Sequence, residues 1–243
     1  MAVTYRIHPI ALTQGPRDLS QWTQGMNLGV PSTSVSYIWY LEGEGPKILV
    51  DCGTELSAFE ERGFPSERIE TPESGLGRLG LKPGDIDIVI LTHLHFDHVG
   101  FAYLFGNARF IVQKKELEYA RRPHPWDSIL YDSSNFDGLN FEVIDGDREI
   151  VPGISVFLTP GHTPGGQSVE VSTTGGKAII TGFCCVKETF VQTEDMKRKG
   201  REVAVPALHQ DLREAYDSVL RVKRRADIIL PLHDPAFIEE TTI

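Results

Sequence analysis

The chain has 243 residues, with 34 acidic side chains against 24 Lys and Arg and a formal net charge of -10. This acidity argues against nucleic acid as the main partner, because phosphate binding needs a basic surface. Hydrophobic residues make up 40% and charged residues 24%, values typical of globular proteins. The length suits one large domain over residues 1–243, of α/β or layered β type.

Residues 1–7 lack the apolar core of a signal peptide, and no apolar run approaches the length of a membrane span. The three cysteines, Cys52, Cys184 and Cys185, are too few for a disulfide framework. We therefore predict a cytoplasmic protein that acts on a small molecule and does not enter a membrane. The sequence is compatible with either a monomer or an oligomer.

The first half of the chain predicts strands around one long polar loop. Residues 13–34 are rich in Gly, Pro, Ser and Gln, and loops of this length often line binding sites, so they are a candidate substrate wall. Residues 54–84 are charged and only partly compatible with helix. Predicted strands cover residues 3–12, 35–41, 47–51 and 85–92, with a hairpin turn over 42–45.

After the strand at 85–92, the chain alternates strands with three helical stretches. Residues 123–138 are irregular and aromatic; they predict either a surface excursion or a lid over the functional site. The best helix covers residues 208–224, where apolar residues recur at helical spacing. The other predictions are helices at 101–104 and 114–122, and strands at 108–112, 141–144, 154–159, 168–172, 177–181 and 227–232.

The densest group of metal-ligand side chains follows the strand at 85–92. His93, His95, Asp97 and His98 lie within six residues. If the chain is still extended at His93 and His95, their i, i+2 spacing puts both side chains on one face, where they can share one ion. Asp97 and His98 then fall in the following turn, free to point at a second ion.

Two later histidines occupy equivalent positions at strand ends. His162 lies in a turn rich in Pro and Gly after the strand at 154–159, and His233 follows the strand at 227–232. Imidazole and carboxylate suit zinc and similar ions. Splitting the six side chains gives His93, His95 and His162 for one ion, and Asp97, His98 and His233 for the other, which leaves room for a bridging hydroxide.

This pattern resembles the metallo-β-lactamase superfamily over nearly the whole chain, and within it the group of N-acyl homoserine lactonases and pyridoxolactonases. The resemblance implies an αββα sandwich in the α/β class, and Asp51 is expected to orient a ligand histidine rather than bind metal. The matching motifs are Asp51-Cys52-Gly53, Thr92 to Gly100, Gly161 to Gly165, Lys187 to Phe190 and His233-Asp234.

The sequence departs from the family at one position. Family members usually have an aspartate just after the strand that corresponds to residues 177–181, and this aspartate bridges two metal ions. Phe183 falls at or near that position, followed by Cys184 and Cys185. Either the bridge is missing, or a thiolate from one of these cysteines replaces it, with Cys184 the candidate ligand. The alternative is that both cysteines are buried core residues. The resemblance therefore implies one or two divalent ions, with Zn first and Fe or Mn as alternatives.

The predicted reaction is opening of a lactone by metal-bound hydroxide, with Asp97 orienting the hydroxide or returning a proton to the leaving alkoxide. Hydrolysis of a thioester, an ester or a cyclic amide is the alternative on the same site. A mononuclear iron oxygenase is a third interpretation, because the fold does not fix the reaction. A structural metal module is disfavoured, since four protein ligands normally close such a site.

Overall fold

The computed structural model describes residues 3–243, so residues 1 and 2 of the predicted domain lie outside it. Two sheets pack face to face with helices on both outer faces, which confirms the predicted αββα sandwich. The strands are β1 Arg6–Asp18, β2 Pro31–Glu42, β3 Ile48–Val50, β4 Glu67–Arg68, β5 Ile88–Ile90, β6 Arg109–Gln113, β7 Phe141–Ile144, β8 Arg148–Val151, β9 Ile154–Leu158, β10 Gln167–Thr173, β11 Gly176–Ile180 and β12 Ile228–Leu230. The α-helices are α1 Leu56–Glu61, α2 Pro72–Arg78, α3 Phe96–Val99, α4 Lys114–Ala120, α5 Glu194–Arg198 and α6 Leu212–Arg225.

The larger sheet has seven strands in the order β4-β1-β2-β3-β5-β6-β7. Its β1, β2 and β3 pair antiparallel, whereas β3, β5, β6 and β7 run parallel. The smaller sheet has five strands in the order β12-β11-β10-β9-β8, and only β11 and β12 run parallel in it. Loops after β5, β9 and β12 carry the candidate ligands, so three connections from two sheets build the site.

Three apolar layers hold the sandwich together. The middle layer lies between the sheets, where side chains such as Trp39 and Val50 meet Val169 and Ile180. One outer layer covers the larger sheet under α1 to α4, and the other packs the smaller sheet against α6. Because β3 and β5 are buried on both faces, they read as continuous apolar runs rather than alternating ones.

Several element predictions differ from the structure; the strand predicted over residues 85–92, for example, covers only Ile88–Ile90. Residues 13–34 are only partly loop, because β1 continues to Asp18 and pairs with β2 from Pro31 onward. The last helix begins at Leu212 rather than residue 208, because the Asp211 side chain accepts the backbone N–H groups of Arg213 and Glu214 and caps the helix there. Within residues 3–243, no helix combines the length and apolar character needed to cross a membrane.

Candidate metal centre

All six predicted histidine and aspartate ligands meet at one end of the sandwich. His93 and His95 follow β5, and Asp97 and His98 lie in the short helix α3 that begins one residue later. His162 lies in the turn between β9 and β10, and His233 follows β12. Each side chain therefore projects from a loop, or from the short helix α3, that follows a buried strand, as the strand-end pattern predicted.

His93, His95 and His162 form the first group, called here the three-histidine triad. One ring nitrogen from each lies within 4.8 Å of the others. The Nε2 atoms of His93 and His162 lie 3.3 Å apart. All three side chains are buried, so their ring nitrogens converge on a point shielded from bulk water.

Asp97, His98 and His233 form the second group, the mixed triad. Its ligand atoms also lie within 4.8 Å of one another. Asp97 Oδ2 lies 3.3 Å from His98 Nε2 and 3.9 Å from His233 Nε2. The sequence predicted this division of six side chains into two groups of three, and the structure brings together the same two sets.

Hydrogen bonds from Nδ1 leave the Nε2 lone pairs of several rings free for a metal. His162 Nδ1 donates to the Leu208 carbonyl over 2.7 Å, and His233 Nδ1 donates to the Val35 carbonyl over 3.0 Å. Such bonds fix both the tautomer and the ring orientation. His95 Nε2 is buried and has no hydrogen-bond partner within residues 3–243, which fits a site where a metal ion completes its contacts.

Asp51 has the orienting role predicted for it. Its Oδ2 accepts a hydrogen bond from His98 Nδ1 over 2.8 Å, and its two oxygens also accept from the backbone N–H and hydroxyl of Thr92. The Thr92 oxygen in turn lies 3.0 Å from His93 Nδ1. Asp51 has a left-handed backbone with φ of 59°, an uncommon conformation that strand pairing around it maintains.

The two triads differ in charge. Burial and the neighbouring imidazoles lower the pKa of His93 well below its ordinary value, and burial lowers the pKa of His162 to about 4 despite its bond to the Leu208 carbonyl. Burial would also lower the pKa of His98, but Asp97 and Asp51 outweigh it and raise that pKa to about 10.

The same pairing stabilises the charged form of Asp97. Burial alone would raise the pKa of this carboxyl, but His98 and the other imidazoles lower it below the ordinary value. These shifts favour a charged pair of His98 and Asp97 in the mixed triad and neutral rings in the three-histidine triad.

Glu116 supports the three-histidine triad and was not recognised from the sequence. It is fully buried at the start of α4. Its Oε1 accepts the Leu94 N–H over 2.9 Å and its Oε2 accepts the Gly165 N–H over 3.2 Å. One carboxylate thus joins the loop that carries His93 and His95 to the loop that carries His162. A glutamate in the first turn of a helix is common, so the sequence contains no signal for this role.

Both triads open into one cavity of about 330 Å³. Residues 13–34 contribute Arg17, Gln21, Trp22 and Ser34 to it, as predicted for a substrate wall. Most of the remaining wall is apolar. The apolar side chains that line it include Trp22, Phe59, Phe64, Phe96, Leu130 and Leu208.

The segment over residues 123–138 contributes only Leu130 to that cavity. Its His124, Trp126 and Asp127 instead line a neighbouring cavity of about 460 Å³, which shares His95 and His162 with the first. This segment therefore lines the second cavity more than the first, and its role as a lid over the metal site stays a prediction.

The turn with two cysteines divides its side chains between the core and the cavity. Phe183 and Cys185 pack under α6, and burial raises the pKa of Cys185 to about 12. Cys184 lines the cavity beside Trp22. Its sulfur belongs to neither triad. Its role as a metal ligand stays a prediction, and no carboxylate stands where the family usually has its bridge.

Comparisons with known proteins identify the family. The family model described as Metallo-beta-lactamase superfamily matches residues 31–182. An N-acyl homoserine lactonase from Bacillus thuringiensis is 33% identical over 231 residues, covering 88% of this chain and 86% of that protein. An N-acyl homoserine lactonase from Bacillus cereus is 35% identical over 223 residues, covering 84% and 80% of the two chains.

Solved structures similar to this chain belong to the same kind of enzyme as the sequence relatives. An N-acyl homoserine lactone hydrolase with the product N-hexanoyl-L-homoserine at its catalytic metal centre has a TM-score of 0.77 and 30% sequence identity. The match covers 97% of this chain and 95% of that one. The chain belongs to the metallo-β-lactamase superfamily, and it is a metal-dependent hydrolase of the lactonase type.

Proposed function

We propose that the chain opens a lactone ring by hydrolysis at a centre of one or two divalent metal ions. The observation that carries the proposal is the pair of triads at the base of one cavity. The curated relatives and the matching structures are hydrolases of N-acyl homoserine lactones. They favour a cyclic ester over the thioester, ester and cyclic amide alternatives, and over the iron oxygenase.

The proposed ligands follow the two groups of three. His93, His95 and His162 would hold one ion, and the mixed triad the other. Five imidazoles and one carboxylate suit zinc, with iron or manganese as the alternatives. Cys184 is retained as a candidate additional ligand only because it lines the same cavity; burial and Asp97 raise the pKa of its thiol, which disfavours the thiolate that would bind metal.

When bound, the ions supply Lewis acidity, which polarises an ester carbonyl and makes hydroxide available from water near neutral pH. Asp97 is ionised at neutral pH because its pKa lies below the ordinary value. Its carboxylate would orient the attacking hydroxide or return a proton to the alkoxide oxygen that leaves when the ring opens. Asp51 and Val35 hold the rings of His98 and His233 while this happens.

The cavity limits the substrate to a small molecule with an apolar part. Its volume of about 330 Å³ lies at the lower end of the range for ligand sites. Aromatic side chains of the wall, among them Phe64 and Phe96, would contact an acyl chain or a second ring. The relatives act by name on N-acyl homoserine lactones, and we propose an acylated lactone for this chain.

Three further proposals extend the sequence predictions. The whole chain functions as one unit, because the ligands span residues 93–233 and come from both sheets. None of the three cysteines is paired, which supports the predicted cytoplasmic location. The formal charge of -10 supports the prediction that nucleic acid is not a partner.

The experiment is proton release from a panel of lactones, thioesters and acyclic esters, with purified protein before and after dialysis against a chelator. We expect acid release from lactones that stops on chelation and returns when zinc is restored. Metal content measured on the same samples identifies the ion. Acid release confined to thioesters or acyclic esters would contradict the lactonase proposal, as would a rate on lactones that chelation leaves unchanged.

A further inference from the structure

Arg17 is a half-buried cation in the wall of the metal cavity. It lies one residue before the end of β1, and its side chain lines the same cavity as both triads. Among the residues that line this cavity, all of them within the described chain, Arg17 is the one Arg or Lys. The surrounding wall is largely aromatic and aliphatic, so a permanent positive charge here is unusual and needs an explanation.

Backbone carbonyls and one aromatic ring hold the guanidinium in place. Nη1 donates to the Pro16 carbonyl over 2.8 Å and to the Pro65 carbonyl over 2.9 Å. Nη2 lies 3.4 Å from Ser66 Oγ, and Cζ lies 5.2 Å from the centre of the Phe64 ring. The group is thus fixed before any ligand arrives, which reduces the entropy that binding would otherwise lose.

These contacts leave donors without acceptors. A guanidinium has five N–H groups, and the bonds above use both of those on Nη1 and one on Nη2. Nε–H and the second Nη2 N–H have no acceptor within residues 3–243, and no Asp or Glu lies within ion-pair distance of Arg17 in that range. Nε and Nη2 form one edge of the guanidinium, the edge that binds a carboxylate through two parallel hydrogen bonds.

The charge of Arg17 also reaches the mixed triad. Burial lowers the pKa of Arg17, and the Asp97 carboxylate acts in the opposite direction. Arg17 is also among the groups that lower the pKa of His233. A ligand that spans the cavity from the mixed triad to Arg17 therefore meets a positive charge at its far end.

We propose that Arg17 binds a carboxylate of the substrate, so that the preferred substrate is a lactone with a carboxylate on its acyl substituent. The inference rests on the proposed lactonase function. It adds a substrate class to that function. A carboxylate is preferred because a purely alkyl chain would desolvate the guanidinium without giving its free N–H groups an acceptor.

The test compares two lactones that differ only in charge. Both carry the same ring and the same acyl chain, one ending in a carboxylate and the other in the isosteric primary amide. We expect wild-type kcat/KM to favour the carboxylate by about 10- to 100-fold, the range of a charge-assisted hydrogen-bonded pair. This preference should fall as salt rises, because the cation is partly solvated.

Arg17→Gln should reduce the preference to about threefold or less, and Arg17→Lys should keep part of it, because lysine retains the charge but loses the two-bond geometry. Arg62→Gln is the matched control. Arg62 also donates to two backbone carbonyls, and its Cζ lies 4.3 Å from the centre of the Phe96 ring, but it does not line the cavity. The control should leave the ratio of the two kcat/KM values unchanged.

A wild-type enzyme that opens both lactones equally well would overturn the inference, whatever the variants do. An equal loss on both substrates in Arg17→Gln, matching Arg62→Gln, would reduce Arg17 to a structural role. If Arg17→Gln does not fold, the inference is still tested by the ratio of kcat/KM values for the two lactones. This ratio is then measured in the wild type at low and high salt, and in Arg17→Lys. Failure of wild-type protein to open either lactone, with metal present, would instead contradict the proposed function.

Discussion

The two triads lie side by side, yet buried carboxylates support them in different ways. Asp51 accepts a hydrogen bond directly from the imidazole of His98 in the mixed triad. Glu116 makes no hydrogen bond to a ring of the three-histidine triad within residues 3–243; it accepts the backbone N–H groups of Leu94 and Gly165 instead. One carboxylate therefore acts on the charge and orientation of a ligand, and the other acts on the spacing between two loops.

This difference matches the charges of the two sites. The three-histidine triad already consists of neutral rings, so it needs geometry more than charge to accept a dication. In the mixed triad, carboxylates raise the pKa of His98 to about 10, and metal binding there displaces a proton. A site can thus be prepared for a metal by rigid loops or by nearby charge, and the four variants below separate these two contributions.

Asp97→Asn should have the largest effect, because it removes the one carboxylate among the six candidate ligands and the proposed proton carrier together. We expect kcat to fall by about 10²- to 10⁴-fold, with one metal ion per chain retained at the three-histidine triad. Steady-state kinetics and elemental analysis of the same sample test both parts. Unchanged turnover would exclude the proposed role, and loss of all metal would show that the triads do not bind independently.

Asp51→Asn should weaken the mixed triad by about 10- to 100-fold in metal affinity. Asparagine tolerates the left-handed backbone at this position, so the change removes charge without adding strain. Competition with a chromophoric chelator measures both affinities. Asp87→Asn is a suitable control, since Asp87 is exposed and accepts the Lys47 N–H. A weakened three-histidine triad would mean that Thr92 transmits the effect.

Glu116→Gln should weaken metal binding at the three-histidine triad rather than at the mixed triad. The loss of affinity should be smaller than the loss that Asp51→Asn causes at the mixed triad. The amide group turns one acceptor into a donor that faces a backbone N–H, at a cost of about 1–3 kcal/mol. Metal affinity should fall at the three-histidine triad first, and thermal unfolding should shift to lower temperature with and without metal. Glu118→Gln is the control, because Glu118 lies on the exposed side of α4. A loss confined to the mixed triad would contradict the division of roles.

Cys184→Ala should have the smallest effect. The two triads are complete without its sulfur, and we expect kcat/KM to change by less than about threefold, within the range of a buried side-chain truncation beside a site. Cobalt-substituted protein gives a second readout, because a thiolate ligand produces a charge-transfer absorption band. Such a band in the parent, absent in Cys184→Ala, would establish Cys184 as a ligand and make the mixed triad a four-residue site.

The sequence was sufficient to predict that these six side chains meet in two groups of three, because each follows a strand or lies in a rigid turn. His162 and His233 became recognisable through that shared placement. Arg17 and Glu116 could not be predicted, because their roles depend on contacts across the fold. Arg17 lay in a stretch that Gly and Pro made look like loop, although pairing with β2 keeps it extended. Glu116 gains its partners only when α4 packs against two distant turns.

The order of the ligands along the chain has a consequence for biosynthesis. The last residue that supports the three-histidine triad is Leu208, whose carbonyl orients His162, whereas the mixed triad waits for His233, 25 residues later. That last histidine is placed by β12, which pairs in parallel with β11, and by the bond from its own N–H to the Cys185 carbonyl. Since chains fold from the N-terminus as they leave the ribosome, the nascent protein can assemble one metal site before the other exists.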